Sequence, residues 1–121
     1  MNDHSPVPAA APLTPIGVFE PPYHIVVFST VRTERQDGYA ETNARMEELV
    51  KEIPGFLGLD HAQTPGGLGI TVGYFRDADA IARWRSDDEH RAAQRRGMSE
   101  WYERYTVQVA KVERSQEFQR R

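Results

Sequence analysis

The stretch "DDEHRAAQRRGMSEWYERY", residues 87–105, puts groups able to move protons where a helix ordinarily shows hydrocarbon. At about 100° per residue, a helix running to about Tyr105 brings Ala93, Gln94, Gly97, Trp101 and Tyr105 within about 60° of His90, on one stripe. Imidazole ionises near neutrality, which makes His90 a candidate general base. The carboxamide of Gln94, one turn on, offers N–H donors to a developing oxyanion. Trp101 and Tyr105 would wall an apolar pocket. Left buried without partners, an imidazole or an amide costs about 1–3 kcal/mol, so each must meet backbone, another side chain, water or a bound molecule. Taken alone, His90 reads equally as a satisfied core histidine; the functional reading gains when other polar groups converge on it.

Such groups are available on neighbouring elements. In "YHIVVFSTVRT" the alternation puts His24, Val26, Phe28, Thr30 and Arg32 on one side of a strand, which makes Arg32 a second oxyanion donor and Phe28 a wall residue. Tyr74 stands at the end of a later strand and Trp84 on the preceding helical segment, and both join the candidate substrate-binding set with Trp101, Tyr105 and Phe28. His90, Arg32 and Gln94 are the candidate catalytic residues. An aromatic-walled space with a few polar groups is the usual form of a small-molecule site. Gly97 inside a helix costs about 1 kcal/mol relative to alanine, so it implies close approach of the sheet or room for a ligand.

Metal chemistry finds little support. There is no cysteine, and the four histidines, His4, His24, His61 and His90, form no His-x-x-x-His or Glu-x-x-His pair. The side chains of Glu89 and His90 diverge by about 100° on a helix, too far to share one ion. The "GGLG" run opens into a strand instead of a helix, so it offers no helix N-terminus to a phosphate.

These residues need a scaffold, and the periodicities supply one. Residues 1–21 hold closely spaced prolines among small residues and read as an extended, mobile arm. After strand one, Tyr39, Met46, Leu49, Val50 and Ile53 recur at helical spacing, with Asp37 as N-cap and Pro54-Gly55 as stop. "FLGLDHAQTPGGLGITVGYFR" reads as a hairpin turning at "PGG". Asp77 caps a further helix, and "SDDE" is a capping box with Ser86 as N-cap, so the helix bends or restarts there. "TVQVAKVER" closes the domain as a strand. The order β-α-β-β-α-β is that of an α+β, ferredoxin-like fold, with a four-stranded antiparallel sheet and helices on one face.

The 121 residues make one domain, and 39% hydrophobic with 27% charged residues is an ordinary globular composition. A net charge of −3, with Arg91, Arg95 and Arg96 interleaved among glutamates, argues against a nucleic-acid or acidic-membrane partner. No apolar run reaches the roughly 18 residues of a membrane span, and no hydrophobic leader opens the chain, which gives a cytoplasmic expectation. Strand one is apolar toward both sides, so the sheet face away from the helices needs a cover, and a homodimer through that face is the economical one.

The strand "HIVVFSTVRT", the run "PGFLGLDHA" and "GITVGYFRDADAIARWRSDDEHRAAQRRGMSEWYERYTVQVAKVER" together resemble the antibiotic biosynthesis monooxygenase (ABM) domain of the dimeric α+β barrel superfamily, over about residues 22–118. The resemblance implies a homodimer whose sheets face each other as a barrel, with one pocket per subunit between sheet and helices. It implies oxidation of an aromatic or quinone-like small molecule by molecular oxygen with no cofactor, the deprotonated substrate itself supplying electrons. Some relatives instead degrade haem, using an asparagine, a tryptophan and a histidine at positions that here hold Ser29, Phe75 and Gln94. The alternatives are a non-catalytic small-molecule-binding dimer and, further off, haem binding through His90.

Overall fold

The computed structural model describes residues 14–120, so His4 and the expectation of a mobile arm over residues 1–13 lie outside the described residues. Strand β1 (Tyr23–Arg32) is followed by α1 (Tyr39–Val50), β2 (Phe56–Gln63), β3 (Leu68–Phe75), α2 (Ala78–Ser86), α3 (Asp88–Arg96), a π turn (Gly97–Trp101) and β4 (Tyr102–Val112). The four strands form one antiparallel sheet in the order β2-β3-β1-β4, the α+β, ferredoxin-like arrangement. β1 is central because its Val, Ile and Phe residues can be paired on both edges and covered on both faces. The hairpin between β2 and β3 turns at Gly66 with φ 66°, as the "PGG" reading expects.

Register assigns the faces. Val26 and Phe28 share a side with Gly73 and Thr71 of β3 and with Val109 and Val107 of β4. This side meets the helices: Val50, Phe75, Ala80 and Ile81 form the buried core, with Val26, Phe56, Leu59 and Trp84 packed against it. On the rear side lie Ile25, Val27 and Val31 with Tyr74, Val72, Ile70 and Leu68 opposite them. The described part of the arm is anchored there. The Ile16 N–H donates to Asp60 Oδ1 at 2.9 Å, Phe19 packs at 5.5 Å from Tyr23 and 6.0 Å from Tyr74, and Arg76 donates to the carbonyls of Glu20 and Pro22.

Three local expectations are corrected. Asp37 does not cap α1; Gly38 takes that position in the left-handed region, with no side-chain cap. The helical break does fall beside Ser86, but Ser86 is the last residue of α2. Asp87 is the cap, accepting the His90 N–H at 2.9 Å, because its extended backbone (φ −64°, ψ 130°) carries the carboxylate over the new N-terminus. The helix expected to reach about Tyr105 ends at Arg96. Trp101 therefore sits in the π turn and Tyr105 in β4, not on a stripe with His90.

The π turn closes where the Tyr102 N–H reaches back five residues to the Gly97 carbonyl. Gly97 itself has ordinary helical angles, φ −57° and ψ −46°, so backbone freedom is not its reason. A Cβ there would stand 2.5 Å from the Tyr102 ring, and that ring is held between Phe28 (5.6 Å) and Tyr105 (5.7 Å). Close approach of the sheet is thus what Gly97 serves. In Gly97→Ala, the overpacking cost of about 1–3 kcal/mol should exceed the gain of about 1 kcal/mol in helix propensity, lowering stability in denaturant unfolding. A variant as stable as the parent would mean that the Tyr102 ring is free to move.

Candidate functional site

Two clusters of predicted residues lie on the helix-side face. The first forms at the α2–α3 break. Because Asp87 is extended, the Trp84 carbonyl loses the i+4 partner a continuous helix would give it and accepts instead from the Asp87 N–H at 3.2 Å and from His90 Nδ1 at 2.9 Å. The imidazole lies flat on the Trp84 indole, with centroids 3.8 Å apart and planes at 14°. A carbonyl can only accept, so Nδ1 carries the proton and, in the neutral ring, Nε2 holds a free lone pair. Burial holds the His90 pKa below its ordinary 6.5; the bond to the Trp84 carbonyl and the charge of Asp87 oppose that shift without cancelling it. His90 is therefore a neutral, oriented base at pH 7. Trp84 ties it to the core, packing against the buried cluster of Val50, Phe75, Ala80 and Ile81.

The second cluster lies further along β1. Tyr105 packs 5.3 Å from Phe28, and Tyr102 packs on both. A register shift at Val31/Arg32, where Glu103 is the extra residue on β4, restores Tyr102 to the helix side, so two tyrosines three residues apart reach the same phenylalanine. Tyr39, the first residue of α1, stands edge-on to Trp101 (5.4 Å) and Tyr102 (6.3 Å), and the Arg32 guanidinium lies 4.3 Å from the Tyr39 ring centroid. Trp101, 2% exposed, donates its indole N–H to the Asp37 carbonyl at 3.0 Å and supports this cluster from within. Beyond it the same face stays open: Val107 and Val109 are 49% and 53% exposed, and α3 buries none of its residues. The result is an apolar shelf of Phe28, Tyr102, Tyr105, Val107 and Val109 with Arg32 at one end, while His90 lies against Trp84 at the α2–α3 break on the same side of the sheet.

Two predicted residues stand apart from this shelf. Gln94 is exposed and has no hydrogen-bond partner among the described residues, because its direction on α3 falls at the margin of the inward stripe. Tyr74 faces the rear of the sheet; it donates to Asp60 Oδ2 at 2.9 Å, and its phenol is pushed up to about 12, by burial first and then by Asp60. Conversely, Tyr102 and Tyr39 belong to the cluster and were not expected there. The sequence signal for Tyr102 was Gly97, whose missing side chain needed an occupant. Among the described residues no three His, Cys, Asp or Glu side chains come together as a metal site. The positions that the resemblance matches to the asparagine, tryptophan and histidine of haem-degrading relatives hold a rear-facing Ser29, a buried Phe75 and an exposed Gln94, so that set is not reproduced here. A separate groove of about 340 Å³ runs between α1 and α3 over Thr42, Met46 and Ala93, bridged by the Arg45–Glu89 pair; none of the predicted site residues lines it.

Residues 22–96 match the family model described as antibiotic biosynthesis monooxygenase. Over 100 residues the chain is 50% identical to uncharacterized protein YqjZ of Bacillus subtilis, covering 83% of this chain and 88% of that protein. Among solved structures it is similar to SnoaB, a cofactor-independent oxygenase from Streptomyces nogalater, with TM-score 0.63 and 12% identity over 80% of this chain and 97% of that one. It is also similar to protein SO0527 from Shewanella oneidensis, with TM-score 0.64 and 15% identity over 75% of this chain and 91% of that one. At such identities the structural likeness speaks for the fold alone, while the family model and the half-identical relative speak for descent. The chain belongs to the antibiotic biosynthesis monooxygenase family.

Proposed function

We propose that the protein is a cofactor-independent monooxygenase acting on an electron-rich, phenol-like aromatic held on the shelf of Phe28, Tyr102 and Tyr105. The observation that carries this reading is the free Nε2 of His90, fixed by the Nδ1 bond to the Trp84 carbonyl and kept neutral by burial. Such a base removes a proton from an acidified C–H of an anthrone-like substrate. The resulting carbanion passes one electron to molecular oxygen, the radical pair joins as a hydroperoxide, and loss of water leaves a carbonyl. Overall CH2 + O2 becomes C=O + H2O, with the substrate as the only electron donor. Arg32, whose guanidinium lies on Tyr39, would hold the oxyanion, whereas Gln94 would need to turn inward from solvent to share that work. Membership of the antibiotic biosynthesis monooxygenase family supports the reaction class.

The test is oxygen uptake with a panel of anthrones and hydroquinones. Removing the base in His90→Gln should lower kcat/KM by about 10²–10⁴-fold. Because burial lowers the ring's pKa, the base form persists to lower pH than in a free imidazole, and the fall of kcat/KM with acid should have its midpoint below 6.5. Uptake no faster than buffer, or an unchanged rate in His90→Gln, contradicts the proposal. Binding without turnover would leave the alternative role of a small-molecule-holding protein.

The working unit in this reading is a homodimer through the rear face. Val31, Leu68 and Ile70 leave exposed hydrocarbon there beside Val27 and Val72, a surface that a second copy's sheet would cover. Sedimentation velocity should find a dimer for the parent chain and a monomer for Ile70→Lys. A monomeric parent rejects this assembly. No helix among the described residues is long and apolar enough to cross a membrane.

A further inference from the structure

Among the lysines and arginines of the described residues, Arg32 alone is not exposed. Other arginines in the structure have partners: Arg35, Arg45 and Arg96 pair with glutamates, and Arg76 and Arg83 donate to backbone carbonyls. Arg32 has neither among the described residues; its guanidinium rests on the face of Tyr39 and its N–H edges are unclaimed. A guanidinium keeps its charge at any working pH, and this one, held against a ring, keeps N–H donors that no protein acceptor occupies among the described residues. The chain is acidic overall, yet no carboxylate has been placed against this one cation.

The groups around it are donors and flat rings. Tyr102 is the cross-strand partner of Arg32. Its phenol is pushed up from its ordinary value, by burial first and then by the neighbouring Tyr39, with Arg32 pulling the other way, so it remains a protonated donor. Phe28 and Tyr105 continue the surface away from the cation, and the exposed Val107 and Val109 extend it as hydrocarbon. A single fork-shaped cation suits one planar anionic group better than a phosphate dianion, and the apolar continuation suits an aromatic body.

We propose that Arg32, with Tyr39 and Tyr102, forms an anion site that selects planar aromatic ligands carrying one ionised oxygen group, a carboxylate or a phenolate, with the ring system lying on Phe28 and Tyr105. This deepens the preceding reading, since it assigns the substrate class of the same shelf, but it concerns binding of the resting ligand and is measured without turnover. The site predicts that charge at the ligand's edge, and not ring area alone, sets affinity.

The experiment titrates the full chain with 2-naphthoate and with 2-naphthamide, a neutral molecule of nearly the same shape, reading tryptophan fluorescence and thermal shift. A charge-assisted pair should make the acid at least about tenfold tighter than the amide. Arg32→Gln should erase that preference, Arg32→Lys should keep part of it, and Arg104→Gln, an exposed rear-side change, should leave it intact. Circular dichroism of each variant confirms folding, and Arg32→Lys retains the test if Arg32→Gln does not fold. With 4-nitrophenol, a shift of its ionisation to lower pH on binding, lost in Arg32→Gln, assigns the anion as phenolate. No such shift, with the naphthoate preference present, assigns it as carboxylate. Equal affinity for acid and amide, no binding of either, or a preference that survives Arg32→Gln overturns the proposal. Arg32-dependent selectivity without oxygen uptake would leave the anion site standing and remove the oxygenase reading; turnover without selectivity would do the reverse.

Discussion

The carbonyl of Trp84 is the point on which the site turns. In an unbroken helix it would be consumed by the N–H four residues on, and a histidine at position 90 would have no local acceptor for its ring. The extended backbone of Asp87 removes that helical bond, and the oxygen accepts the Asp87 N–H at 3.2 Å and the imidazole Nδ1 at 2.9 Å instead. The imidazole bond is the second one to a part-buried carbonyl, worth about 0.5–1.5 kcal/mol, and it fixes the orientation of the ring. The same turn supplies the Asp87 carboxylate to the His90 N–H and presses the ring onto the indole, which excludes water from one face. Helix break, cap, tautomer and lowered basicity are therefore four consequences of one backbone dihedral change.

Beside Arg32 a second irregularity plays a matching part. The π turn at Gly97–Trp101 and the extra residue Glu103 in β4 each displace the chain by one position, and together they bring Tyr102 onto the helix-side face under Gly97. Regular elements would have sent Tyr102 to the rear. Irregular backbone at both ends of an otherwise ordinary sheet is where this chain departs from a plain ferredoxin-like packing, and it is also where its imidazole and its unpaired guanidinium are found.

Much of this architecture could be read from residue order alone, because hydrophobic alternation and turn chemistry are local. The strands, the "PGG" hairpin and a helical restart beside Ser86 all rest on patterns within a few residues. The helix overrun past Arg96 has a physical cause: residues 97–105 keep helical spacing for Trp101 and Tyr105, and Glu100 with Arg104 mimics an i,i+4 pair, while a π turn adds its extra residue without any sequence mark. Tyr74 was placed on the site because its face depends on register against β1 and β2, a non-local quantity. Gln94 sat at the edge of the inward stripe, where about 40° of rotation separates interior from solvent. His90, Trp84, Phe28 and Arg32 could be assigned to the helix side because their partners lie nearby in sequence or on the one strand whose faces alternation resolves.

The most direct measurement is nitrogen-resolved NMR of the His90 ring in the full-length protein, read across the neutral pH range. The account predicts a neutral imidazole with its proton on Nδ1 and an unprotonated Nε2. A proton on Nε2, or an imidazolium persisting at neutral pH, would contradict it, since either state leaves no lone pair on Nε2 to act as a base.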